Sequence, residues 1–231
     1  MPSAAKRRAC PNGPSFRNLA KTDIDMKSLI PGVIAMAAIV LASNILVQHP
    51  LGLWLTWGAI TYPFAFLVTD LTNRLQGPTA ARRVVLAGFA TGIICSLIGT
   101  QIIGEFGPLV TLRIAIGSGI AFLIAQLLDV ALFDRLRGST WWRAPFISTL
   151  VGSTLDTALF FTIAFSATLI WLDPSNDVSW ATAPTPLMGF SPILPFWVSL
   201  AVADWCAKIA LAIVALLPFR LAVAKLTARV A

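Results

Sequence analysis

Histidine occurs once in this chain, at position 49, and cysteine three times, as Cys10, Cys95 and Cys206 with no CxxC pair. That set supports neither a disulfide framework nor a metal site, and no cofactor is expected. Charge is scarce as well. Asp, Glu, Lys and Arg make up 12% of the 231 residues, about half the share found in a soluble domain. HExxH and GxxxxGK[ST] are both missing, which argues against metalloprotease and ATPase chemistry in this chain. Within the apolar segments no Ser–His pair can be assembled, so nucleophilic catalysis has no base. An enzyme is not expected.

Apolar residues make up 57% of the chain, and the mean hydropathy is +0.82. The net charge is +7, yet the cations sit in short clusters between apolar runs, with no basic stripe carrying interleaved aromatics. Nucleic acid is therefore not an expected partner, whereas membrane lipid is. Runs of about 20 apolar residues, the length that spans a hydrocarbon core, lie at about 28–48, 51–73, 84–104, 111–133, 145–170 and 194–217. The expected fold is an all-α membrane protein of six transmembrane helices, multi-pass in the inner (plasma) membrane. Residues 28–220 form one domain, between a mobile basic cytoplasmic arm at 1–27 and a cytoplasmic tail at 221–231. A homodimer is compatible with this organisation. The arm shows no apolar segment ending in a small-residue cleavage site, so the first span is expected to serve as the insertion signal.

Orientation is read from the cations. Lys6, Arg7, Arg8, Arg17, Lys21 and Lys27 precede the first span, and Arg74, Arg82 and Arg83 follow the second. Arg135, Arg137 and Arg143 follow the fourth, and Arg220, Lys225 and Arg229 close the chain. The alternate loops carry Glu105, Asp173 and Asp177 instead, apart from Arg113 at the mouth of span four, which is expected to snorkel outward. The asymmetry places both termini in the cytoplasm. The extracytoplasmic segment at 171–193, rich in proline and aromatics, is expected to be an ordered interfacial cap. "NRLQG" at 73–77 and "DRLRG" at 134–138 echo each other, each closing an inward-running span.

Six ionisable residues fall inside these spans: Asp70, Arg113, Asp129, Asp156, Asp204 and Lys208. Each costs at least about 2.5 kcal/mol at mid-membrane unless paired or hydrated. Counting residues at about 1.5 Å each places Asp70 and Asp129 near the cytoplasmic side and Asp156 and Asp204 near the midplane. Asp204 and Lys208 are four apart and can neutralise each other, as can Asp70 and Arg74. Gln126 shares a face with Asp129 and suits helix-packing glue. Asp156 has no cation on its own span and must pair across helices or face water. Pro63, near the middle of span two, removes a backbone bond. Asn44 and Gln48 share a face of span one, and Trp57 sits deep enough to stack on a planar ligand. Two midplane acids invite an aspartyl-protease reading, but Asp156 follows "STL" and Asp204 follows "AVA", without the Gly-x-Gly-Asp setting of that class. The residues alone support a transporter for a small polar solute.

The segments "SNILVQ", "TWGAITYPFAFLVTDLTNRLQGPTAARR", "RIAIGSGIAFLIAQLLDVALFDRLR", "WWRAP", "STLVGSTLDTALFFTIAF" and "ADWCAKI" resemble the queuosine precursor transporter family of bacterial inner-membrane proteins. The resemblance covers about residues 28–220 and includes all the intramembrane charges. It implies import of 7-cyano-7-deazaguanine and 7-aminomethyl-7-deazaguanine for tRNA queuosine modification, with a 7-deazaguanine base as the small-molecule partner. It transfers no residue roles. By depth and chemistry, Asp156 is the expected principal reader of the base edge, followed by Asp204 and Lys208. Asn44, Gln126, Asp129, Asp70 and Trp57 are supporting candidates. Two alternatives stay open: a membrane-embedded substrate-binding subunit for another small polar solute, needing a separate energising partner, and a structural membrane protein.

Overall fold

The structure, a computed structural model, describes residues 26–105, 107–138 and 140–228. Most of the basic arm expected at 1–27, and the end of the tail expected at 221–231, lie outside the described residues.

Helix α1 (Met26–Leu46) leads through a short hairpin, β1 (Pro50–Leu51) with β2 (Leu55–Thr56), to α2 (Trp57–Thr61) and α3 (Phe64–Gln76). Next come α4 (Pro78–Gln101), a second hairpin of β3 (Ile103–Gly104) and β4 (Gly107–Pro108), α5 (Leu112–Leu136) and α6 (Arg143–Phe165). A 3-10 helix (Ala167–Leu172), α7 (Ser179–Thr182) and the antiparallel pair β5 (Pro184–Leu187) and β6 (Phe190–Pro195) precede α8 (Phe196–Ala228). Among the described residues five helices, α1, α4, α5, α6 and α8, are long and apolar enough to cross a membrane. Their outward faces are hydrocarbon: Ile34, Leu97 and Leu217 are more than 60% exposed. The polar side chains of Thr69, Gln126, Asp129, Ser148 and Ser153 are wholly buried. This inverts the pattern of a water-soluble protein and suits lipid as the surrounding solvent.

The run expected as span two differs most. Leu51–Thr56 form the hairpin rather than helix, turning at Gly52 with φ +73, where a residue without Cβ is favoured. Thr56 then caps α2, its side chain accepting from Ala59 N at 3.3 Å. Pro63 ends that helix after five residues, since it has no N–H and its ring crowds the preceding turn. The chain resumes through tight bonds from Ala65 N to Tyr62 O and Phe66 N to Pro63 O. The run expected at 145–170 likewise ends its helix, α6, at Phe165, five residues short of expectation, because Ser166 is extended and opens the 3-10 turn.

Arg113 does not snorkel. It is 0% exposed, and its guanidinium donates to the carbonyls of Ile163 at 3.1 Å and Ser166 at 2.6 Å. The last carbonyls of a helix lack intrahelical donors and form the negative end of its dipole. A cation one helix away therefore finds better partners there than in the headgroups. The cap expected at 171–193 is tied down next to this point. Asp177 accepts the backbone N–H and hydroxyl of Ser179, bonds that hold its carboxyl below the usual range. Trp180 sets its ring edge-on against Phe165 and Phe196.

Small residues let the helices approach closely. A Cβ on Gly58 would lie 2.8 Å from Ser43 O and from Val47 N and Cα, all of them backbone atoms that cannot swing aside. Gly58→Ala is expected to lower stability in detergent by about 1–3 kcal/mol, an overpacking effect. Thermal unfolding followed by fluorescence-detected gel filtration would measure it, and an unchanged midpoint would mean α1 and α2 can separate freely.

The two echoing segments touch. Arg137 Nη2 donates to Asn73 Oδ1 at 2.5 Å, Asn73 Nδ2 donates to Val130 O at 2.9 Å, and Arg74 Nη1 donates to the Arg137 carbonyl at 3.3 Å. The glycine-terminated ends of α3 and α5 are thereby fastened together at one end of the bundle.

Candidate functional site

Helix α8 contributes the first two charges. Asp204 and Lys208 are one turn apart, so both side chains share a face, and Lys208 Nζ stands 2.6 Å from Asp204 Oδ2. The same ammonium reaches across to α6, where it lies 2.7 Å from Asp156 Oδ2 and 3.1 Å from Thr157 Oγ1. Thr157 in turn donates to Asp204 Oδ2 at 2.8 Å. The other oxygen of Asp156 accepts from Tyr62 Oη at 2.9 Å. All four residues that α6 and α8 supply are at most 8% exposed.

Tyr62 closes the site from the helix break. It sits between α2 and α3, immediately before Pro63, with its ring edge-on to Phe66 and Phe122. Lys208 Nζ lies 5.3 Å from the ring centroid, a cation–π distance. One ammonium thus faces two carboxylates and an aromatic face, and with all three groups ionised the cluster carries one net negative charge. Every ammonium proton has a partner. Sequence reasoning paired Lys208 with Asp204 alone and did not single out Tyr62, although a lone tyrosine beside the only mid-span proline was an available signal.

A second polar group lies further along α3, α5 and α6. Asp70 does not pair with Arg74. It accepts instead from Ser148 Oγ at 3.4 Å and Thr149 Oγ1 at 3.3 Å, while Arg74 turns to the carbonyl of Arg137. Thr69 donates to Gln126 Oε1 at 2.7 Å, and Asp129 is fully buried beside Asp70. The remaining candidates stay apart from both groups. Asn44 donates back to its own helix at Val40 O, and Trp57 is 47% exposed at the start of α2. Among the described residues no group of three His, Cys, Asp or Glu side chains could hold a metal ion.

Comparison with known proteins agrees with a membrane carrier. The family described as "Putative vitamin uptake transporter" matches residues 56–223, which contain every residue of the cluster. The "Queuosine precursor transporter" of Escherichia coli (strain K12) is 37% identical over 195 residues, covering 78% of this chain and 79% of that protein. The "Probable queuosine precursor transporter" of Haemophilus influenzae is 37% identical over 169 residues, covering 62% and 71%. Its namesake in Bacillus subtilis (strain 168) is 31% identical over 134 residues, covering 49% and 58%. No solved structure matches the chain. With a buried ionic cluster inside the matched region and 37% identity to a queuosine precursor transporter sustained over most of the chain, this protein belongs to the queuosine precursor transporter family and to the family described as "Putative vitamin uptake transporter".

Proposed function

We propose that the chain imports queuosine precursors, bases of the 7-deazaguanine class, across the inner membrane, and that Asp156 is the group that reads the base. The observation that carries this is the Asp156–Lys208–Asp204 cluster, buried at a helix break. Asp156 lies 13 residues into α6 and Lys208 12 into α8, about 18–20 Å along each at 1.5 Å per residue. Ions at such depth mark substrate or ion pathways more often than they mark simple packing. Helices α2 and α3 together would form the sixth crossing, and the lysine and arginine distribution would put both termini in the cytoplasm.

The chemistry suits the solute. A 7-deazaguanine offers N–H donors at its ring and exocyclic amine, and a carboxylate can accept two of them at once in a charge-assisted pair. Oδ1 of Asp156 is held by Tyr62 and Oδ2 by Lys208. Lys208 has Asp204 and Thr157 as its other partners if it lets go, and Tyr62 stands at the break before Pro63. The base therefore exchanges for these two donors rather than entering an empty slot. The net negative charge favours the cationic aminomethyl form.

The purified chain reconstituted alone in liposomes is expected to take up labelled 7-cyano-7-deazaguanine with saturation. Uptake that appears only with an added energising subunit would reassign the chain as a binding subunit. Orientation is tested by introduced cysteines: Ser175→Cys is expected to label from outside intact cells and Arg137→Cys only after permeabilisation. Labelling of both from outside would break the six-crossing arrangement.

A further inference from the structure

Below the Asp156 cluster two acids meet without a cation among the described residues. Asp70 on α3 and Asp129 on α5 are 3% and 0% exposed, and their carboxyls lie within hydrogen-bonding reach of each other. Ser148 and Thr149 donate to Asp70 from α6. Ser148 also stands beside Asp129, but its hydroxyl has one proton to give. Both Asp129 oxygens are buried and receive no hydrogen bond from any donor group.

The charges nearby are committed elsewhere. Arg74, one turn along α3, bonds the Arg137 carbonyl; Arg137, at the end of α5, bonds Asp134 and Asn73. Gln126 on α5 is neutral. Asp156 on α6 and Lys208 and Asp204 on α8 are bound to one another about two turns away. Among the described residues α1 and α4 add no ion pair, Arg82 and Arg83 being exposed. Two ionised carboxylates in contact, with no counter-ion at this depth, repel too strongly to persist. One proton between them turns the repulsion into a short O–H···O⁻ bond.

Asp70 also borders a cavity of about 20 Å³ between α3, α6 and α8, which runs from Pro63 at the break to Phe219. That is room for one water; of the residues lining it, Pro63 follows Tyr62 of the upper cluster in the chain. Ser148 and Asp156 are both on α6, eight residues or about 12 Å apart.

We propose that Asp70 and Asp129 form a proton-binding site, sharing one proton that is released to the cytoplasm and retaken from outside in each cycle, so that solute uptake is coupled to proton entry. This rests on the transporter reading. One proton enters with each solute molecule and leaves on the inner side, and no bond in the solute changes.

Two measurements test it separately. In infrared spectra of the purified full chain in detergent, a protonated-carboxyl band that titrates with pH is expected, shifted in frequency in Asp70→Asn and in Asp129→Asn and lost when both are replaced, since a lone buried acid keeps its own proton. Its absence from the unmodified protein, an unchanged band in both single variants, or its persistence in the double variant overturns the shared proton whatever the solute. In liposomes with the membrane potential clamped, an acid-outside gradient of one pH unit is expected to concentrate labelled 7-cyano-7-deazaguanine about tenfold, the ratio set by one proton per solute. In either Asn variant the ratio falls to about one, judged against that variant's own solute counterflow, and Asp129→Glu recovers part of it. Counterflow without gradient-driven accumulation in the unmodified chain would reject the coupling and leave the transporter standing. No counterflow at all would reject the solute, with the infrared band still deciding the proton site.

Discussion

Lys208→Gln is expected to reduce the folded protein in the membrane severalfold and to abolish uptake, whereas Asp204→Asn is expected to be mild. The asymmetry follows from the sharing of one ammonium between two carboxylates, at 2.7 Å from Asp156 and 2.6 Å from Asp204. Removing the cation strands both acids, and uncompensating one buried pair already costs about 3–5 kcal/mol. Removing Asp204 leaves Asp156 and Lys208 as a balanced pair, with Thr157 still accepting from the ammonium. The combination Lys208→Gln with Asp204→Asn, which an isolated pair on α8 would render harmless, leaves Asp156 without a cation, beside only Tyr62 and a neutral amide. It is expected to recover accumulation in part. Adding Asp156→Asn removes the last formal charge, and the triple variant should accumulate close to normal while transporting nothing. Such non-additivity is what a shared network produces. Gel filtration of tagged membranes reads accumulation, and a triple variant as poor as Lys208→Gln would mean that the lysine acts through packing rather than charge.

Much of this arrangement was legible because its signals are local. Asp204 and Lys208 are one helical turn apart, so their pairing needs nothing beyond the period of a helix. Span length is equally local, and among the described residues the five continuous helices overlap the expected ranges, with α4 starting six residues before 84 and α8 running eleven past 217. Pro63 announced a disturbance in the remaining one. What it could not announce was that Leu51–Thr56, as apolar as any helix, would fold back as a hairpin; the turn at Gly52 decides that. Missed features are those in which two local options compete and a distant partner wins. Asp70 has Arg74 at ideal spacing, yet the hydroxyls of Ser148 and Thr149 on α6 reach it inside the bundle, while Arg74 stays at the end with a free carbonyl nearby. Arg113 had a clear path to the headgroups, but the open end of α6 offered two carbonyls. Asp156 had no cation of its own, and only the packing of α8 on α6 shows which one it borrows.

Asp156→Asn is expected to reach the membrane in nearly normal amounts and to bind 7-cyano-7-deazaguanine roughly ten- to hundredfold more weakly, the equivalent of about 1.5–3 kcal/mol for a lost charge-assisted pair. The fold tolerates the change because the amide can turn its oxygen to Lys208 and its NH₂ to the phenolic oxygen of Tyr62, and Lys208 keeps Asp204 as its counter-ion. Binding does not tolerate it, because two N–H groups of the base then meet one acceptor and one donor. Asp156→Glu should keep part of the affinity, the carboxylate being displaced by one methylene. Tyr62→Phe supplies the opposite sign. It removes the donor that competes for Oδ1 and keeps the ring beside Lys208, so it is expected to bind at least as tightly as the unmodified chain. Isothermal titration in detergent at matched folding distinguishes these variants. Equal affinities for the unmodified and Asn proteins would take Asp156 out of the solute site, and a Tyr62→Phe variant as weak as Asp156→Asn would show that the phenol touches the base instead of yielding to it.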